Sequence, residues 1–190
     1  MRLIATLLGA ALLGLVLVLP GLAADDKAGK PEVGKPAPSF DLPAVNINKA
    51  LPDSKKKTLS LADLKGKNVV LFFYPKAMTP GCTVESCGFR DKTADFAKVN
   101  TVLVGISTDN LADQGKFVKK ESLNFPLLAD PDKKVTRAYG ALGTRGFANR
   151  YTFVIDSKGI LRKVYTTVTP KEHPEEVLNY IKTNLASKGK

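Results

Sequence analysis

The sequence predicts one α/β domain built on a central mixed β-sheet flanked by helices. Three observations carry that reading. Asn68 to Tyr74 and Thr101 to Ser107 are apolar runs without a charge, the pattern of strands buried on both faces. Between them, Cys82 to Val99 places Cys82, Phe89, Thr93 and Phe96 at helical spacing, so strand, helix and strand form a unit that pairs in parallel. Farther on, Tyr151 to Ile155 and Ile160 to Val168 flank the turn residues Asp156-Ser157-Lys158-Gly159 and predict an antiparallel hairpin at one side of the sheet.

The remaining elements follow in chain order. Met1-Arg2 precedes an uncharged stretch, Leu3 to Ala24, that ends on the small residues Gly21, Ala23 and Ala24. Residues 1–24 read as an export signal cut between Ala23 and Asp25. The alternative is an uncleaved anchor, since the stretch matches the ~20 residues that cross a bilayer as a helix. Either way the rest of the chain is expected outside the cytoplasm, in the periplasm or its equivalent. Asp25 to Ser39 is Pro, Gly, Lys and acid with a single Val, too polar to bury a face, and reads as an extended linker. Its flexible part is assigned to 25–32, and the domain to 33–190. Leu111 to Ser122 forms a second helix with Leu111, Phe117, Val118 and Leu123 as its apolar positions, and Phe125 to Leu128 returns as a short strand. Asp130-Pro131-Asp132 opens a short helix through Val135 and Tyr139. Pro174 stands at the start of a last amphipathic helix carrying Val177, Leu178, Ile181 and Leu185. The net charge of +11 comes from scattered lysines rather than from a basic patch interleaved with aromatics, which argues against a nucleic-acid partner.

Both cysteines of the 190 residues lie in PKAMTPGCTVESC, Pro75 to Cys87. Cys82 falls in the first turn of a helix that follows a strand and a loop, where unpaired N–H groups and the helix dipole favour an anionic sulfur. On an ideal helix Cys87 lies about 140° round and ~7.5 Å along from Cys82, so their Cα atoms stand ~8.7 Å apart. That exceeds the ~7 Å a disulfide spans. A bond between them therefore requires the helix to unwind. Other readings of the pair stay open. An exported chain with two cysteines suits a permanent structural bridge. A zinc site lacks ligands, since the only histidine is His173, and a thioredoxin-like exchange site would be spaced CxxC.

The segment Pro75 to Cys82, PKAMTPGC, resembles the PxxxTxxC signature of the peroxiredoxins, and Cys87 stands where the bacterioferritin-comigratory-protein subgroup, also called the Q type, keeps a resolving cysteine. The likeness continues through VGKPAPSFDL from Val33, GCTVESCGFRD from Gly81, VGISTD from Val104, FPLLADPDKKVTRAYG from Phe125 and RYTFVID from Arg150. The resemblance implies a thioredoxin-like fold and a thiol peroxidase. Cys82 would be the peroxidatic nucleophile and Cys87 the resolving thiol, meeting in an intramolecular disulfide. Thr79 would aim its hydroxyl at sulfur and peroxide, and Pro75 would shape and shield the pocket. Arg150 would set a permanent charge beside both sulfur and peroxide. Glu85 matches the pattern too, as a partner for Arg150, but an acid early in a helix favours any helix, so it is not counted among the site residues.

The resemblance implies no metal, haem or flavin, because the oxidation resides on sulfur. It implies a peroxide substrate, a thioredoxin or periplasmic thioredoxin-like reductant, and a monomer or weak homodimer. Ala77 and Met78 stand where the subgroup usually has an acid or amide, which tilts the expected preference towards organic hydroperoxides. Two other classes of function remain: an exported thiol-disulfide oxidoreductase acting on proteins, and a non-catalytic thioredoxin-fold module with a structural bridge.

Overall fold

A computed structural model describes residues 30–186. Its centre is a seven-stranded mixed sheet: β1 (Asp41–Val45), β2 (Thr58–Ser60), β3 (Asn68–Phe73), β4 (Thr101–Ser107), β5 (Leu127–Ala129), β6 (Thr152–Ile155) and β7 (Leu161–Tyr165), ordered β2-β1-β5-β4-β3-β6-β7. β4 pairs in parallel with both β3 and β5, and every other pairing is antiparallel. All six residues of β3 are buried. They alternate between two cores: Val69, Leu71 and Phe73 face one, while Val70 and Phe72, with Tyr74 just beyond, face the other. The unbroken apolar run is thus a strand with a core on each side.

Five helices cover the sheet: α1 (Pro80–Asp91), α2 (Thr93–Lys98), α3 (Leu111–Glu121), α4 (Lys134–Ala138) and α5 (His173–Asn184). Phe89 of α1, Phe96 of α2, Phe117 of α3 and Val177, Leu178 and Ile181 of α5 close the core on the Phe72 side. Phe72 and Phe89 stack with ring centroids 4.7 Å apart. Each such buried phenyl ring contributes roughly 1.5–3 kcal/mol. The opposite core is roofed by Val135 of α4, Tyr139 and the 3-10 turns at Ile47–Lys49 and Ala62–Leu64. Local signals set the ends of these elements. Thr79 caps α1 in an extended conformation with Pro80 following, and the Asn110 side chain accepts the Asp113 N–H at 2.9 Å to open α3. In the β6–β7 turn the Asp156 carboxylate accepts from the Lys158 and Ile160 N–H groups, both at 2.9 Å, and Gly159 takes φ 84.

The structure corrects four details of the sequence reading. β1 and β2 extend the sheet on the side away from the hairpin. The helix expected over Cys82 to Val99 is two helices, because the backbone turns at Lys92 (ψ 4) and Thr93 spends its hydroxyl on the Phe89 carbonyl and the Asn124 side chain. Leu111 is exposed at the start of α3, where Gln114 takes the buried place beside Phe117. The polar stretch before Ser39 is not all linker: Gly34 N–H bonds the Leu161 carbonyl at 2.8 Å and Ala37 N–H the Gly159 carbonyl at 2.9 Å, docking it against β7. Its prolines leave N–H groups from Gly34 and Ala37 free to pair there. The export signal and most of the linker, residues 1–29, lie outside the described residues.

Candidate active site

β3 ends at Phe73, and the chain passes through Tyr74 to Met78 before α1 begins. Met78 adopts φ 62, a left-handed conformation that costs an L side chain ~1–2 kcal/mol. That turn reverses the chain so that Thr79 caps α1, with Cys82 in its first turn, fully buried at the N-terminal end of the helix. Arg150, just ahead of β6, reaches across from the neighbouring strand. Its Nη2 donates to Cys82 Sγ at 3.3 Å and its Nη1 to the Glu85 carboxylate one turn farther along α1. One planar guanidinium therefore ties the sulfur and the helix together, with a fixed pair of donors that a lysine does not have. The ends of Arg150 are held on opposite terms: burial works against its charge, while Glu85 and Cys82 outweigh burial and raise its pKa. Gly81 makes room for this arrangement, since a Cβ there would stand 3.2 Å from Arg150 Nη2.

Glu85 is fully buried, and its Oε1 has no hydrogen-bond partner. Burial pushes its carboxyl up to about 7, against the pull of Arg150. The Thr79 hydroxyl donates to the Lys76 carbonyl at 2.9 Å. This differs from the expected aim at sulfur: the donor is used to close the loop. Pro75 lines a cleft of about 240 Å³ with Gly143, Thr144, Phe147, Asn149 and Arg150. Phe147 is exposed in this cleft and Met78 in the loop before Cys82. A cleft of similar size, about 250 Å³, lies between Leu61–Lys67 and Asp156–Gly159. Neither cleft is lined by a cysteine, and the first is tied to Cys82 through Arg150.

Cys87 is apart from this cluster. α1 is continuous through it, both thiols are free, and Cys87 Sγ lies 3.8 Å from Glu121 Oε2 at the end of α3. Burial raises the Cys87 thiol above its ordinary pKa; Glu121 and Asp91 add to this, and Arg90 opposes it. The structure therefore joins Cys82 to Arg150, sets Pro75 with Arg150 in one cleft, places Thr79 at the N-cap of the helix that carries Cys82, and holds Cys87 away on that folded helix. Among the described residues, no three His, Cys, Asp or Glu side chains converge as a metal site requires.

Two groups of residues near the site went unread in the sequence. The half-buried Asp109 and the buried Ser107 and Gln114 form a polar link behind the loop, described below. His173, which looks remote in the chain, is fully buried between Phe89 and Tyr165, with Nε2 2.8 Å from Thr152 Oγ1. Burial lowers its pKa, with Arg150 acting in the same direction and Glu176 opposing. Only the tertiary path of α5 across α1 reveals that placement.

Residues 33–164 match the family described as AhpC/TSA. The chain belongs to this peroxiredoxin family. It is 39% identical over 140 residues to peroxiredoxin Bcp of Escherichia coli K12, covering 70% of this chain and 90% of that one. It is 38% identical over 158 residues to peroxiredoxin Bcp of Bacillus subtilis 168, covering 80% and 95%. Among solved structures, the peroxidoxin BcpB of Mycobacterium tuberculosis superposes with a TM-score of 0.70 at 34% identity, covering 81% of this chain and 98% of that one. The bacterioferritin comigratory protein of Xanthomonas campestris, whose structures were studied for alkyl peroxide reduction, gives 0.67 at 26% identity, covering 76% and 90%. This peroxiredoxin is thus a thiol peroxidase of the Bcp type with a thioredoxin-like fold.

Proposed function

We propose that the peroxiredoxin reduces hydrogen peroxide and organic hydroperoxides with Cys82 as nucleophile and Cys87 as resolving thiol. The observation that carries this reading is the Arg150 guanidinium, shared between Cys82 Sγ at 3.3 Å and the Glu85 carboxylate. The Cys82 thiolate attacks the terminal peroxide oxygen, the O–O bond breaks, and the departing alkoxide or hydroxide takes a proton to leave as alcohol or water. Cys82 is left as a sulfenic acid. Arg150 steadies negative charge on sulfur and then on the departing oxygen, charge that is largest in the transition state. Thr79, its proton engaged by Lys76, offers oxygen lone pairs to the peroxide O–H.

Cys87 then attacks the Cys82 sulfur. Its S–H bond breaks, the S–S bond forms, the S–O bond breaks, and the hydroxyl leaves with a proton as water. Folded α1 forbids this approach, so its first turns must open. A thioredoxin-type dithiol reduces the disulfide by exchange. The exposed Phe147 in the cleft that Arg150 lines and the exposed Met78 in the loop before Cys82 favour a substrate with an alkyl group, and the reading draws on the alkyl peroxide reduction named for the Xanthomonas relative. We further infer export, on the Leu3 to Ala24 stretch; the reductant is then a thioredoxin-like protein that receives electrons through the membrane.

The test is single-turnover oxidation of reduced protein by one equivalent of peroxide. Cys82→Ser consumes none, whereas Cys87→Ser consumes one equivalent and stalls with Cys82 as sulfenic acid. Equal loss in both variants contradicts the two roles.

A further inference from the structure

The loop that delivers Cys82 is fastened from behind by a ring of polar groups, buried except for the half-buried Asp109. The Ala77 N–H donates to Asp109 Oδ2 at 2.8 Å. The same oxygen accepts the Ser107 hydroxyl at 2.7 Å, and Ser107 Oγ in turn accepts the Asp109 N–H at 3.2 Å. Gln114 of α3 donates through Nε2 to Ser107 Oγ at 2.8 Å and to the Leu128 carbonyl at 2.9 Å. Its Oε1 accepts the Tyr74 hydroxyl. Tyr74, Ser107 and Gln114 are fully buried. The ring closes through the chain itself, because Tyr74 and Ala77 are the two ends of one short segment with Pro75 inside it.

We propose that Asp109, backed by Ser107 and Gln114, positions the peroxidatic loop for attack on peroxide. This rests on the assignment of Cys82 as nucleophile and adds a residue that touches neither sulfur nor substrate. The physical need is local. Ala77 is followed by Met78 at φ 62, a conformation that persists only where its surroundings over-determine it. On one side Thr79 bonds the Lys76 carbonyl at 2.9 Å; on the other, Asp109 holds the Ala77 N–H. With Ala77 released, Met78 relaxes towards a negative φ, and the peptides that lead into Thr79 rotate. The first turn of α1 then shifts against Arg150, which is anchored on a different strand. A displacement of ~1 Å between reacting groups costs on the order of 100-fold in rate.

The ring bears on one step only. Attack on peroxide needs the loop and the first turn of α1 in register, whereas disulfide formation takes place after that turn has opened. A residue that merely supports the fold would affect both steps, or neither.

The experiment compares full-length wild type with Asp109→Ala and Asp109→Asn, all reduced, each mixed with one equivalent of hydrogen peroxide and quenched over time. Mass spectrometry separates Cys82 sulfenic acid, trapped with a dimedone reagent, from the Cys82–Cys87 disulfide. The expected result is that Asp109→Ala slows Cys82 oxidation by about 10- to 100-fold, while disulfide formation from the sulfenic acid keeps its wild-type rate. Asp109→Asn recovers most of the oxidation rate, because its amide oxygen accepts the same Ala77 N–H. Wild-type oxidation in Asp109→Ala overturns the proposal, as does an equal slowing of both steps, or an Asn variant as slow as Ala at restored thermal stability. If Asp109→Ala does not fold, Tyr74→Phe takes its place, since it frees Gln114 at the far end of the ring; slowed oxidation supports the proposal and a wild-type rate overturns it. The wild-type trace reports on the underlying assignment: if Cys82 is not the thiol oxidised, both readings fall.

Discussion

Glu85 is a carboxyl group that water does not reach, with one oxygen on Arg150 and the other unpaired. Burial raises its pKa from 4.5 to about 7 in the folded protein. The folded state thus binds a proton that the unfolded chain has released, and the stability tied to that proton is complete below about 4.5 and lost as the pH rises through about 7. At about 1.4 kcal/mol per pH unit, the loss is on the order of 3 kcal/mol. Denaturant unfolding of reduced wild type and Glu85→Gln between pH 4.5 and 8 is expected to show the wild type losing stability relative to the variant by that amount. A difference independent of pH would show that Arg150 fully compensates the buried charge. The same residue marks the limit of the sequence reading. Cys82 and Cys87 stand out in the sequence by position and spacing, whereas Thr79 and Arg150 are pointed to only by the resemblance to the peroxiredoxins. Glu85 was seen but could equally have been a helix-start acid, and Gln114 and Asp109 were not seen, because nothing in a polar side chain announces that it will be buried against a loop from another element.

The proposed mechanism requires α1 to be firm enough to hold the peroxide site and weak enough to open. Its two halves are secured differently. The first turns are tied by the Arg150 link to Cys82 and Glu85. The far end is anchored to other elements: Arg90 donates to the Glu121 carbonyl at 2.6 Å, Asn124 donates to the Arg90 carbonyl at 3.2 Å, and Phe89 is packed against Phe72 and Phe96. Oxidation of Cys82 changes the group that Arg150 Nη2 holds, so on the proposed mechanism the first half is the part that yields. Gly88 lies at the junction. A Cβ there would stand 2.8 Å from Pro174 Cγ, so glycine lets α5 approach at this point while lowering helix propensity by up to ~1 kcal/mol. Oxidation is expected to raise amide hydrogen exchange from Cys82 to Gly88 while α2, β3 and β4 stay protected, with a Cys82–Cys87 bond inside one chain. Unchanged exchange across that segment, or a bond only between chains, would separate the cysteine spacing from helix opening. Among the elements, those with long apolar runs or full helical periods were legible. β1 and β2 were not: β1 carries Pro43, β2 has only three residues, and both are defined by pairing with partners distant in the chain.

At the scale of the whole molecule, every group assigned to peroxide chemistry lies within the segment from Pro75 to Arg150, on a sheet whose two faces are both buried. The chain joins this body at Gly34, where its N–H meets the Leu161 carbonyl, and Lys35 accepts the Leu161 N–H at 2.9 Å. These bonds fasten the segment ahead of β1 to the last hairpin strand. We propose that the apolar stretch Leu3 to Ala24, with small residues at its exit and Asp25-Asp26 after it, is removed on export. The expected mature protein begins at Ala24 or Asp25, is recovered in the soluble extracytoplasmic fraction, and consumes peroxide at the rate of the uncut chain. N-terminal sequencing of native material is the direct measurement. Protein still beginning at Met1 and sedimenting with membranes would make the stretch an anchor, and the peroxidase would then work tethered, through a linker that ends where Gly34 docks on β7.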